Sequence, residues 1–267
     1  MLRAGAVIVG ITVIAAVFGP WLAPWDPNAQ ELALRLAGPT SGHWFGLDEL
    51  GRDILSRLLI GARISLLVGV AVVTASSSVG ILMGSIAGYY GGKIDDVISR
   101  VMDVLLAFPG ILLAIALVAV LGPSLTNVII ALSVIGWVGY ARLVRAQVLR
   151  IREFEYVQAA RALGARTPRI LLRHVIPATL PVVIVQGTLG MAGAIIAEAS
   201  LSFLGLGVQP PMPSWGTMLD AGRSHLFDAP HLTLFPGIAI ALLVLGFNFL
   251  GDGLHDRIDP RMISEGR

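Results

Sequence analysis

An all-α integral membrane protein with six transmembrane helices is the fold that this 267-residue sequence predicts, and two observations carry it. Hydrophobic residues make up 55% of the chain and charged residues only 13%, against about 25% charged in a soluble protein. Stretches wholly free of Asp, Glu, Lys and Arg run over 4–25, 64–92, 104–141, 174–197 and 232–251, and about 20 such residues carry a helix across a bilayer.

The first stretch follows Arg3 and reaches Trp25. That is longer than the roughly 7–15 residues of a signal-peptide core, so a retained first span over 4–25 is expected. A polar segment, 26–63, leads to the second span at 64–90. The run 104–141 is too long for one crossing, and Gly122-Pro123 marks the turn that divides it into spans 104–121 and 125–146. A basic loop, 150–177, precedes the fifth span at 178–198. Residues 199–219 are uncharged too, but Gly205, Gly207, Pro210, Pro211, Pro213 and Gly216 would leave backbone groups unsatisfied in lipid. They predict a loop, within an outer segment 199–231 that leads to the sixth span at 232–251.

Orientation follows from the basic residues. With a cytoplasmic N-terminus and six alternating spans, the inner side holds Arg3, Lys93, Arg100, the eight arginines of 142–173, Arg257, Arg261 and Arg267, which is 14 of the 19. The positive-inside bias therefore places both termini in the cytoplasm. Cysteine is absent, so no disulfide framework and no thiol-based metal or catalytic site is expected.

The basic loop has internal order. A short helix from Glu155 puts Tyr156, Ala159, Ala160 and Leu163 on one face, with Gln158 and Arg161 elsewhere. Gly164 suits the left-handed position after a helix. Thr167 is expected to cap the next helix, with Pro168 in its first turn. Pro177 and Pro181 are expected to end that piece and open the fifth span. The small face at Ala159, Ala160 and Gly164 is a surface on which another protein's groove could close. A protein partner, and no nucleic acid, is expected there, besides the lipid bilayer itself.

The run Tyr156 to Gly164, followed by Arg173-His174-Val175-Ile176-Pro177, resembles the EAA loop of binding-protein-dependent ABC importer permeases. Ala159, Ala160, Gly164 and Pro177 match that pattern in identity and spacing. Gln158 replaces its glutamate, and the His174 variant resembles the peptide and nickel branch. His43-Trp44-Phe45-Gly46-Leu47-Asp48-Glu49-Leu50-Gly51-Arg52-Asp53 resembles the segment before the second helix of that branch's C-type permeases. Leu201-Ser202-Phe203-Leu204-Gly205-Leu206-Gly207 with Pro213-Ser214-Trp215-Gly216 resembles their loop after the fifth helix.

The resemblance implies a type I ABC importer permease fold in a prokaryotic plasma membrane, moving di- or oligopeptides, with nickel or another small solute as the alternative. It implies a second homologous permease, an extracytoplasmic substrate-binding protein and two ABC ATPase subunits. Those ATPases would dock on Tyr156, Gln158, Ala159, Ala160, Arg161, Leu163, Gly164, His174 and Pro177. The chain has no Gly-x4-Gly-Lys-Ser/Thr phosphate loop, so it is expected to bind no cofactor itself and to leave ATP and Mg to its partners.

Asp48, Glu49, Arg52, Asp53 and Trp215 are candidate binding-protein contacts, with Trp44 beside them. Alternatively, residues 48–58 form an amphipathic helix on the membrane surface with Leu50, Ile54 and Leu58 downward. Gln186, Gly187, Gly190, Met191 and Glu198 are candidates for the pathway or for helix packing, and Gly193 joins the glycines that permit close packing. Asn127 and Asn248 are polar groups in uncharged stretches. His43, His225, His231 and His255 show no ligand spacing, so no metal site of the chain's own is expected. A secondary transporter is disfavoured by spans without mid-membrane carboxylates. A membrane enzyme is disfavoured by the lack of a Gly-x-Ser-x-Gly or His-Glu-x-x-His motif.

Overall fold

The computed structural model describes residues 1–258, which form an almost wholly helical chain; Arg261 and Arg267, two of the basic residues used for orientation, lie outside the described residues. The helices are α1 (Leu2–Leu22), α2 (Ile54–Tyr90), α3 (Gly92–Leu106), α4 (Gly110–Leu121), α5 (Leu125–Ile151), α6 (Glu155–Ala162), α7 (Thr167–Ile170), α8 (Ile176–Phe203), α9 (Trp215–Gly222) and α10 (His231–Ile258). Five helical stretches are long and apolar enough to cross a membrane, and the bent pair α3–α4 makes six when taken as one crossing.

Several helices depart from the uncharged windows. Helix α2 begins ten residues before its window because Asp53 caps it, accepting from Ser56 N at 2.8 Å and Ser56 Oγ at 2.7 Å. At 37 residues it measures about 56 Å, nearly twice the ~30 Å hydrocarbon layer. The expected third span, 104–121, is broken. Helices α3 and α4 meet at 85°, with Pro109 at the break, where it disfavours a helical Phe108 and cannot donate a backbone N–H. The division at Gly122-Pro123 has Gly122 at φ +93° and Ser124 capping α5; Asn127 Nδ2 staples the turn by donating to Leu121 O and Gly122 O, both at 2.9 Å.

Thr167 is not the cap of α7. Arg166 takes that position without a side-chain bond, although Pro168 does fall in the first turn. Pro177 and Pro181 do not end a helix either, for Thr167–Phe203 runs as one continuous rod. A π turn at Leu171–Val175 lies just before Pro177, which has no N–H to offer the carbonyl four residues back, and the widened turn absorbs that loss.

Glycine governs how the rods pack. Lipid is as apolar as leucine, so helices in a membrane associate by close van der Waals approach. On α2, Gly80, Gly84 and Gly88 stand at i, i+4 and i+8 and face α5. A Cβ on Gly84 would collide with the carbonyl of Ala141 and come within 2.9 Å of Val144 Cβ; one on Gly88 would come within 2.9 Å of Arg145 O. Helix α1 is laid on α10 in the same way, Gly5 against the Gly246 carbonyl and Gly253 against Leu2. Ion pairs from α5 to α3, Arg142 to Asp103 and Arg145 to Asp95, fix the broken span beside this core.

Gly84→Ala is expected to destabilise the chain by about 1–3 kcal/mol through overpacking against backbone that cannot move aside. Gly10→Ala, at a helical position with open space around it, is the control expected to stay within about 0.5 kcal/mol. Thermal unfolding of the two detergent-purified variants tests the contrast.

Candidate functional site

The segment between α5 and α8 folds into a bracket. Val157 of α6 is fully buried in a cluster with Val144, Val148, Ile151, Ile170 and Val175, which pins α6 to the end of α5 and to the base of α8. Arg161 lies over the Tyr89 ring at 5.4 Å, and Arg152 Nη1 donates to Gly88 O at 2.9 Å, so the bracket also holds the end of α2. Gln158 Nε2 donates to Arg152 O at 3.1 Å, a bond that the glutamate of the EAA pattern could not make as a carboxylate.

The exit from α6 is a complete Schellman motif. Gly164 sits at φ +79°, its N–H donates to Arg161 O, and the Ala165 N–H donates to Ala160 O. Ala160 and Ala165 are both packed against the buried cluster. A Cβ on Gly164 would meet nothing within 4 Å, so this glycine is needed for its dihedral angle rather than for a small face. The expected common face of Tyr156, Ala159, Ala160 and Leu163 is therefore corrected. Val157 and Ala160 turn inward, while Tyr156, Gln158, Ala159, Arg161, Leu163 and Gly164 are exposed. Leu163 is 88% exposed, a large apolar side chain with no cover from its own chain. His174 lies in the π turn beside Tyr156, with ring centroids 6.3 Å apart, and Pro177 is exposed at the start of α8.

Helices α2, α4, α5 and α8 enclose a cleft of about 310 Å³. Ser76, Tyr140 and Gln186 supply its polar groups, Gly136, Gly139, Gly190 and Gly193 open its floor, and no charged side chain lines it. Of the five pathway candidates, Gln186 and Gly190 line this space, and Gly190 makes room for the Tyr140 hydroxyl. Gly187 is buried against Val73. Met191 packs on Gly69 of α2, and Glu198 is fully buried away from the cleft. Gly193 is not a packing glycine, since a Cβ there, as at Gly139, would project into open space. Gly139 and Ser76 were not singled out from the sequence, although the Gly136-x2-Gly139 spacing could have drawn notice to the first.

At the opposite end, most of the expected binding-protein contacts are engaged within the chain. Asp53 caps α2 and accepts from His43 Nδ1 at 2.9 Å; Asp48 accepts from Arg52 Nε at 2.7 Å, with Arg57 beside it. All of these acids and arginines are buried in a turn stitched by the Leu47–Asp53 bridge, which also replaces the amphipathic helix expected from residue 48. Trp215 is 3% exposed, and its indole N–H donates to Leu58 O at 2.9 Å in a slot opened by Gly61. Glu49 remains partly exposed. Among the large apolar side chains that face outward here are Trp44, 69% exposed, and Phe227, 99% exposed, the latter not singled out from the sequence.

The expected loop 199–219 is in part helical. Helix α8 runs to Phe203 and closes in a second Schellman motif, Gly205 at φ +75° with Gly205 N–H to Ser202 O and Leu206 N–H to Leu201 O. Helix α9 follows from a Ser214/Thr217 capping box.

Comparison with known proteins places this architecture. Residues 80–264 match the family described as binding-protein-dependent transport system inner membrane component, and residues 1–39 match the N-terminal transmembrane domain of oligopeptide transport permease C. The chain is 48% identical over 260 residues to a dipeptide transport system permease protein of Alkalihalophilus pseudofirmus, spanning 97% of this chain and 86% of that one. It is 48% identical over 263 residues to a glutathione transport system permease protein of Shigella dysenteriae, spanning 98% and 87%. A chain of the MetNI methionine ABC transporter, solved in inward-facing conformations, superposes with a TM-score of 0.60 over 76% of this chain and 96% of that one at 18% identity, a likeness of fold.

Val157→Asp is expected to release α6 from the end of α5, because a carboxylate cannot remain in that apolar cluster without a partner. Limited proteolysis of the purified chain should then cut within 153–166 in the variant and spare the parent.

Proposed function

Because this chain belongs to the family of binding-protein-dependent transport system inner membrane components, we propose that it forms half of the passage of an ABC importer for di- or oligopeptides in a prokaryotic plasma membrane. A second, homologous permease supplies the other half. The cleft beside α2, α5 and α8 is one wall of the passage, and the chain's termini lie in the cytoplasm. Two ABC ATPase subunits, carrying ATP and Mg, seat on α6, and an extracytoplasmic binding protein delivers cargo to the opposite face around Trp44, Glu49 and Phe227.

The observation that carries this reading is the mounting of α6. A short helix with exposed Tyr156, Ala159 and Leu163 is fastened to the ends of α2, α5 and α8, three of the four helices that line the cleft. A partner that gripped α6 and moved would displace those rods as a body rather than bend a loose loop. Several of the eight arginines of the basic segment are engaged within the chain. Arg142 and Arg145 pair with α3, and Arg152 and Arg161 bind the end of α2.

The peptide cargo is supported by the names of the relatives and by the lining. Hydroxyl and amide groups at Ser76, Tyr140 and Gln186, without fixed charge, can exchange hydrogen bonds with a peptide backbone as it passes and hold no side-chain charge in place. Gentle purification of the tagged chain from its native membrane tests the assembly. Two ATPases, a second permease and a peptide-loaded binding protein are expected, and a chain that comes out alone yet transports contradicts it.

Gly193→Leu is expected to abolish peptide uptake while membrane insertion and co-purification of partners stay at parental levels, since the new side chain enters the cleft and not a helix contact. Gly164→Val, whose side chain meets open space but whose φ is disfavoured by about 1 kcal/mol, is expected to weaken coupling of ATP hydrolysis to uptake. Uptake and ATPase assays on the reconstituted complex check both.

A further inference from the structure

The outer end of α8 carries a buried acid that neither the cleft nor the cytoplasmic bracket uses. Glu198 is fully inaccessible, and so are Ser202 and Ser214, while Ser65 is 1% exposed. Glu198 Oε1 accepts from Ser202 Oγ at 2.7 Å, whereas Oε2 has no partner and Ser65 Oγ, also buried, has none either. The hydroxyls of Ser65, Ser202 and Ser214 are the polar groups around this carboxyl, and no basic side chain joins them among the described residues. Each serine belongs to a different segment: Ser65 to α2, Ser202 to the last turn of α8, Ser214 to the cap of α9.

We infer that the Glu198 carboxyl is a positioning group, a latch whose unpartnered Oε2 takes hydrogen bonds from Ser65 of α2 and Ser214 at the cap of α9 and so seats the outer loop and α9 on α2 and α8. The surrounding contacts are built for such a seat. Gly216 of α9 lies against Ala199 O and Ser202 Cβ, closely enough that a methyl group there would collide. Gly207 gives room to the Ser202 hydroxyl, which also accepts from Val208 N–H at 3.4 Å, and Trp215 is held by Leu58 O on α2. Burial without a cation makes a hydrogen-bonding group of this length the requirement, rather than a charge. An amide can fill the role, a methyl group cannot, and a shortened acid would not span the three hydroxyls. The consequence for transport rests on the importer reading above. The latch ties the face that meets the binding protein to α8, whose other side lines the cleft and whose base carries the cytoplasmic bracket.

Hydrogen exchange of the chain in nanodiscs tests the latch without any partner. In Glu198→Ala, the backbone amides of 208–222 are expected to exchange about tenfold faster than in the parent, with those of α1 and α10 unchanged. Glu198→Gln is expected to restore parental rates. Unaltered exchange in Glu198→Ala, or equal acceleration in Glu198→Gln, overturns the proposal. If Glu198→Ala does not insert, Ser65→Ala is read in its place, with the same acceleration of 208–222 expected and unaltered rates contradicting. In the assembled complex, the ratio of binding-protein-stimulated to basal ATP hydrolysis is expected to fall in Glu198→Ala and to recover in Glu198→Gln. A parent complex unresponsive to any binding protein would refute the importer reading and leave the exchange rates to decide the latch.

Discussion

Close approach of α2 to α5 through Gly80, Gly84 and Gly88 is the constraint on which the rest of the molecule depends. Without a hydrophobic force to press helices together in lipid, backbone contact is what holds the pair, and only glycine allows it at these three positions. Because α2 and α5 are held face to face, each can offer another side to the cleft without filling it. The same pair positions Arg142 and Arg145 for α3 and presents Tyr89 and Gly88 to the bracket around α6.

From that core the two ends are fastened by different chemistry. At the α6 end a cluster of valines and isoleucines, closed by a Schellman turn, fixes α6 with its other side exposed. At the outer end the fixing is polar, with Asp53 capping α2, Asp48 holding Arg52, and Glu198 among three serines. Helix α8 joins both ends as one continuous rod from Thr167 to Phe203. The π turn at Leu171–Val175 widens the register beside Pro177 without breaking the rod.

Much of this was legible in the sequence because membrane physics writes in composition. Uncharged windows gave the helices, Gly122-Pro123 gave the turn between α4 and α5, and Gly164 gave the exit of α6. What the sequence hid was orientation around each helix. In a helix as short as α6, Tyr156, Val157, Ala159 and Ala160 are all weakly polar or apolar, so no periodicity told Val157 from Tyr156 as its anchor. Likewise, nothing separated Gly84, pressed on a carbonyl, from Gly193, open to the cleft. Charge misled for a related reason. Asp48, Arg52 and Asp53 read as solvent-facing, yet they satisfy one another and a helix end inside the outer turn. The Pro109 bend was missed because the uncharged window runs straight through it.

The central claim is that α6 is the handle by which an ATP-hydrolysing partner moves the membrane helices. A photo-cross-linking amino acid placed at Leu163, 88% exposed, in cells that express the full set of native partners tests it most directly. The account predicts an adduct with an ABC ATPase subunit whose yield changes when ATP is trapped on that subunit. An adduct only with lipid or with an unrelated protein, insensitive to nucleotide, would contradict it.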